Sequence, residues 1–546
     1  MAAGKKANKK QVKTETIQES FEYLLRWCVG LLVTVYGVLI LGVLPFYNEE
    51  GFTHIGTDKS TFFRSCTVFF ARILIPAFVL WITAVIAVMY SKKRAGENWK
   101  PKLKFSLADG FAIAYVFSVC VSYLCTDYRA TALWGTTGWF MGLLPHLTLV
   151  SIYFMVSRMA VFSQYLIYLC IPVSAVTFLL GYLNRFDVWP LSMENSGLPL
   201  YISTVGNINW FCGYIVSTMF VGVGLLWLDN GGRKWYTILL SVYICLGFGM
   251  LVVQGSDSGL FAFAAVMLAM FVLSAKSKEK ACMKRFWMIV GLFALACLIT
   301  MCVRMLFPEQ MNYTSGTINL LTKSAVPVFI AVLAAAGWWY AGHKTAPKVW
   351  PVLARVACVG VAVVIVSLVV MIGVNTVKPG SLGALSDRSV FTFNDTWGSN
   401  RGATWRIGFE CFAEQDGLHK LVGVGPDCMA DYLYKGSSEE LLTDVKTAFE
   451  NKRLTNAHNE ILTLLVNTGL CGALSFAGLF MVLLKMLLQA FEKSPRAAAC
   501  GLCLLGYMAN NIWSFQQSLS ISTIFVIMGL GACFLREESA VRGKSN

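Results

Sequence analysis

The chain has 546 residues, a formal net charge of +15, 56% hydrophobic residues and only 14% charged ones. An ordinary soluble domain carries about a quarter charged residues, so this composition excludes one. The basic balance does not define a nucleic-acid binder either, because Lys and Arg sit in short loops between apolar runs, where they set membrane orientation.

Apolar runs of about 20 residues recur along the chain and match the ~30 Å hydrocarbon core of a bilayer. Spans in lipid are helices or closed barrels. Long continuous runs point to helices, since barrel strands alternate in short segments. The predicted fold class is an all-α polytopic membrane protein of about 14 transmembrane helices, with one large extracytoplasmic loop capping the bundle.

In chain order, "MAAGKKANKKQVK" opens a basic tail, 1–23, expected in the cytoplasm and without a cleavage site. Helices 1–11 are expected within 24–374, at roughly 24–44, 66–90, 107–125, 137–156, 160–182, 207–228, 235–254, 258–275, 286–307, 319–341 and 351–374. The polar stretch 375–457 is the large extracytoplasmic loop, expected to be ordered because it holds aromatic residues and a helical-looking "ATWRIGFECFAEQ". Helices 12–14 lie within 458–535, at roughly 459–490, 498–514 and 520–535, and 536–546 is a second cytoplasmic tail. Alternation places "SKKRAGENWKPKLK", with six basic residues, and "KSKEKACMKR", with five, on the cytoplasmic side. This bias fits an even span count with both termini inside. The 459–490 span is long for one crossing and contains "NTGLCG" at 467–472, a helix-weakening patch, so a kinked or re-entrant start is expected.

Most of the 17 cysteines fall in apolar runs, where Cys acts as a small hydrophobe. Cys411 and Cys428 lie in the polar loop and are read as either a disulfide or two free thiols. Of five histidines, His54 and His419 are in polar loops, His343 is assigned to the cytoplasmic side and His146 to the bundle interior. His458 stands apart, at the end of the polar loop and the start of a span, in "TNAHNEILTLL". A helix start there would be capped by Thr455 or Asn456. It disfavours a protonated imidazole, and a neutral ring is what a general base needs. From position alone, a His that merely caps the helix is the plainer reading.

Three features recur in order: Arg401 four residues before Trp405, the "GVGP" turn at 423–426, and His458-Asn459 followed by Gly469 and Gly472. With "STVGNINWFCGY" at 203–214, they resemble the O-antigen ligase family, which includes O-antigen and capsule polymerases. The resemblance covers about 200–490. It implies a GT-C-type glycosyltransferase architecture and a metal-independent, inverting transfer of glycan from a polyprenyl-diphosphate carrier to an acceptor, without cofactor. The implied partners are a lipid-linked oligosaccharide or polysaccharide donor, a glycan, lipid or protein acceptor, and membrane lipids, with no nucleic acid. The implied location is the bacterial plasma membrane, with the active site facing outside. His458 is then the catalytic base and Arg401 a diphosphate ligand.

Further substrate-binding candidates follow from chemistry. A departing diphosphate needs fixed cations, and Arg72, Arg304 and Lys323 lie at the outer ends of expected spans. Snorkelling to the interface is the competing reading for all three. Asn459 and Glu460 adjoin His458; Glu460 is two residues away and so does not face it on a regular helix. Family members often carry Ser-Arg-Gly where this chain reads "QGSDSGL", so Asp257 replaces an expected Arg and the second diphosphate cation is unassigned. No clustered carboxylates or histidines suggest a metal. The alternative function is a glycan transporter or flippase. A carrier places ionisable groups near the bilayer midplane, whereas here they crowd at one face.

Overall fold

The computed structural model describes residues 27–49, 55–94, 96, 105–158, 164–191, 201–228, 232–343, 346–450 and 452–545. The expected tail 1–23 lies outside the described residues. Within the described residues the expected spans overlap helices, with 319–341 falling on two of them. Among the described residues nine helices are long and apolar enough to cross a membrane, or ten with one bent pair counted as a span. The remaining apolar helices include Trp27–Val43, Leu143–Arg158 and Pro495–Asn510, so fourteen is not established as the number of crossings. The last helix, Ser518–Ser545, runs on through most of the expected tail 536–546.

Helix Ile208–Leu228 is the axis of the bundle and is buried along nearly its whole length. It packs on Pro495–Asn510 and Lys234–Val253. Small residues set the closeness of these contacts: a Cβ on Gly224 would stand 2.5 Å from the Ala499 backbone. The long helix ending at Val377 has no buried residue in its apolar window, which suits a surface whose solvent is lipid.

One end of the bundle is tied by Asp109. Its carboxylate completes a capping box with Ser106 and accepts from Arg158 at 3.2 Å, Arg536 at 2.7 Å and Tyr153 at 3.1 Å. A fully buried carboxylate is tolerable only with such partners.

The expected span 319–341 is bent by 60° between Gly316–Lys323 and Val326–Ala341. Pro327 in the first turn of the second helix lacks a donor. Ser324 fills the break, with its hydroxyl donating to Leu320 O and accepting from Val326 N.

The polar stretch forms a cap of short helices, Trp397–Glu414, Gly417–Val422, Met429–Lys435 and Glu439–Ala448. Its core unites Ile407, Val424, Met429 and Leu433 with Leu462 and Val466 of the membrane helix Glu460–Gln489. Cys411 and Cys428 are both buried free thiols.

The expected kink is present. Gly469, at φ 65° and ψ −172°, breaks Glu460–Gln489. The break frees carbonyls of the preceding turn, and the cap takes them: Val424 N donates to Val466 O at 3.1 Å and Gly425 N to Asn467 O at 3.0 Å. Freed backbone groups at membrane depth need such partners. The "GVGP" turn is therefore the strap that docks the cap on the broken helix.

Candidate functional site

The cap and the adjoining bundle end line two open cavities that share a wall. The larger, about 1000 Å³, is lined by Asp257, Tyr313, Trp397 and the turn 396–401. The smaller, about 300 Å³, is lined by Trp139, Asn207, Trp210, Thr455, Phe515 and their neighbours. Arg401 and His458 line both, with Asn209, Phe449 and Trp513.

Arg401 begins the regular part of Trp397–Glu414, after three left-handed residues, Gly398, Ser399 and Asn400. Left-handed Ser and Asn store strain that surrounding contacts must hold. Arg401 supplies two of them, Nε to Trp513 O at 2.9 Å and Nη1 to Gly398 O at 2.8 Å. An Arg has five N–H donors, so this anchoring leaves others for an anion. Trp513 is held in turn against Trp405, with ring centroids 5.4 Å apart and planes 20° from parallel. Burial pushes the Arg401 guanidinium below its usual pKa, and the Asp257 carboxylate acts against that shift.

His458 also has a left-handed backbone, φ 48°, a conformation that His adopts more readily than most residues. Its amide donates to Asn456 Oδ1 at 3.0 Å, and its ring meets Phe515 edge-on at 5.2 Å. Neither ring nitrogen has a hydrogen-bond partner among the described residues. Burial first, and the charge of Arg401 second, lower its pKa to about 4. The ring is neutral at pH 7 and open to a proton.

The helix cap differs from the expectation. Asn459, not Thr455 or Asn456, caps Glu460–Gln489, accepting from Leu462 N at 2.9 Å and donating to Ile512 O at 3.0 Å. Starting the helix at Glu460, three or four residues later than those caps imply, turns Glu460 inward, to Tyr507 at 2.7 Å and Asn511 at 3.0 Å. Asn459 and Glu460 line neither large cavity. Glu460 instead lines an enclosed space of about 20 Å³ with His146 and Asp427, room for a single water.

The other expected cations also stay away. Arg304 is bound to Thr322 and, at 3.1 Å, to Asn319, bracing the bent pair. Lys323 and Arg72 are exposed and line neither cavity. Asp257 does face the larger cavity, from the first turn of Asp257–Lys276.

Sequence reasoning missed two groups. Lys452 and Arg453 line the smaller cavity, which has no carboxylate among its lining residues. Arg185, fully buried, donates to Val253 O at 2.7 Å and to Gln254 O, and stacks 4.9 Å from Tyr313. It closes a helix C-terminus behind the cavity wall, where a cation is favoured. Among the described residues no cluster of three or more His, Cys, Asp or Glu could hold a metal ion.

The fold and site define a multi-pass, predominantly helical membrane protein whose cap brings a fixed Arg and a neutral His to one junction. Residues 313–477 match the family model described as O-antigen ligase, which supports the resemblance read from the motifs. The matched segment contains Arg401, the "GVGP" turn, His458 and Gly469, and stops short of Asp257. The match supports a membrane glycan-transferring enzyme of the ligase or polymerase kind. No curated protein matches the chain.

Proposed function

We propose that this protein transfers a glycan from a polyprenyl-diphosphate carrier to an acceptor hydroxyl at the outer face of a bacterial plasma membrane. The observation that carries this reading is the convergence of Arg401 and His458 where two cavities meet. A transfer reaction has two substrates, and each cavity supplies one approach to that junction.

The acceptor oxygen attacks the anomeric carbon as the bond from that carbon to the phosphate oxygen breaks. The acceptor proton passes to the free ring nitrogen of His458. The electron pair leaves on the diphosphate, which stays on its polyprenol and gains negative charge. Arg401 stabilises that charge through donors already oriented by Trp513 and Gly398, so little reorganisation is needed at the transition state. A single displacement inverts the anomeric centre. No step is assigned to a metal or cofactor.

The test is deletion of the gene in its host, with complementation by wild type and by His458→Ala. Deletion and the variant should both accumulate lipid-linked glycan and lose surface glycan, while wild type restores it. Surface glycan restored by His458→Ala would remove the general-base assignment.

A further inference from the structure

The smaller cavity has an aromatic wall that leads to His458 and whose other rings neither proton transfer nor diphosphate binding uses. Trp210, Trp139, Phe515 and His458 follow one another, with ring centroids 5.3, 4.8 and 5.2 Å apart. All four line the cavity. The indole N–H of Trp139 donates to Thr455 Oγ1 at 3.0 Å, so its polar edge is satisfied and the ring is held as a wall. Trp210 opens helix Ile208–Leu228, where Asn207 Oδ1 accepts from Asn209 N at 2.9 Å and fixes the entry.

Amides accompany the rings. Asn207, Asn209 and Gln517 line the same space, and Lys452 and Arg453 stand beside them. Rings with a few converging polar groups are the usual composition of a small-ligand site, and about 300 Å³ is at the lower end of the size range. An acyl chain is a poor occupant, because it would strip water from amides and cations without replacing the hydrogen bonds. A pyranose suits both features: its C–H face packs on a ring, and its hydroxyls meet the amides.

We propose that this cavity is the acceptor subsite and that the acceptor group is a sugar, whose terminal ring is held by Trp210 and Trp139 with a hydroxyl directed at His458. The inference rests on the glycan-transfer reading and narrows the acceptor to a saccharide. The wall ends on the His458 ring, which places a sugar lying along it next to the base. The larger cavity, about 1000 Å³, is left for the bulkier lipid-linked donor, which reaches the junction from the Asp257 side.

The test uses membrane vesicles from the deletion strain, carrying the host's own lipid-linked glycan and complemented with full-length variants. The acceptor probe is a set of oligosaccharides released by mild acid from the host's surface glycan. Trp210→Ala should raise the acceptor KM about tenfold with kcat little changed. Trp210→Phe, which keeps a ring face, should recover most of the affinity. In nanodiscs, saturation-transfer NMR should detect these oligosaccharides on wild type and on His458→Ala, and lose them on Trp210→Ala. The inference is overturned by a wild type that neither binds nor extends the probe, by an unchanged KM in Trp210→Ala, or by a fall in kcat alone. Dead His458→Ala with unaltered Trp210→Ala removes the subsite only, whereas full transfer by His458→Ala removes the underlying reading.

Discussion

Arg401 donates through Nε to the main-chain oxygen of Trp513 at 2.9 Å, joining the cap to the segment between the last two helices. The bond fixes the guanidinium plane before any substrate arrives. A Lys at this position offers one ammonium, which cannot hold Trp513 O and Gly398 O and also present a fork to phosphate. Arg401→Lys should therefore lower transfer about 100-fold or more while the protein stays in the membrane. Vesicle assays with lipid-linked donor measure it, and wild-type rates would remove Arg401 from the diphosphate site.

His458 predicts a pH profile. Its folded pKa is about 4, below the ordinary value of 6.5. The base is therefore neutral down to about pH 5, and kcat/KM should fall only as pH approaches 4. The same shift has a stability sign. Between pH 6.5 and 4 the unfolded chain takes up this proton before the folded one, so stability from this group is lost as pH falls through that window. His458→Asn, which tolerates the left-handed backbone, should abolish transfer and remove this acid-side loss of stability. A wild-type activity limb near 6.5 would contradict the buried neutral ring.

The strap between cap and broken helix gives a backbone prediction. A Cβ on Gly469 would sit 2.3 Å from the Leu421 carbonyl carbon, at φ +65°. Gly423 faces it, with a Cβ position 2.2 Å from Asn467 O at φ +79°. Neither contact can relax by moving a side-chain tip. Gly469→Ala should cost more than the ~1–3 kcal/mol of left-handed strain alone, lowering the thermal midpoint in detergent and the yield of folded protein. Gly316→Ala, whose Cβ meets nothing within 4 Å, is the control and should be near neutral.

Hydrophobic runs made the helices legible, because length and apolarity are local properties. The kink was legible too, from Gly469 and Gly472 in a span that was too long. The "GVGP" turn was visible as a motif, but its docking on Val466 and Asn467 was not, since those partners lie about 40 residues on. Motif order brought Arg401 and His458 under one family, while their meeting needed the cap. The direction of Glu460 depended on which residue caps the helix, and Asn459 lies three or four residues beyond the caps that the pattern suggested. Arg304 looked like an outward cation because its partners, Asn319 and Thr322, come from the next helix. The Trp139–Trp210 wall joins segments about 70 residues apart and carries no local signal.

Asp427 holds the cap to the segment after Arg129–Trp134, and both of its contacts use one oxygen. Its Oδ2 accepts from Thr136 N at 2.7 Å and from Met141 N at 3.1 Å. Burial raises the carboxyl to about 7, with the two amides opposing. The folded state thus binds this proton more tightly than the unfolded chain, and its contribution to stability falls as pH rises from about 4 to 7, then levels. Asp427→Asn keeps a single oxygen for both amides and has no charge to bury. It should match or exceed wild-type stability at pH 8 and flatten the dependence between pH 5 and 8. Asp427→Ala leaves both amides unpaired in a buried site, at about 1–3 kcal/mol each, and should loosen the cap at every pH. Thermal midpoints of the three proteins at pH 5 and pH 8 decide it: an Asn variant that is less stable than wild type at pH 8 would mean that the charge itself, and not the shared oxygen, holds the clasp.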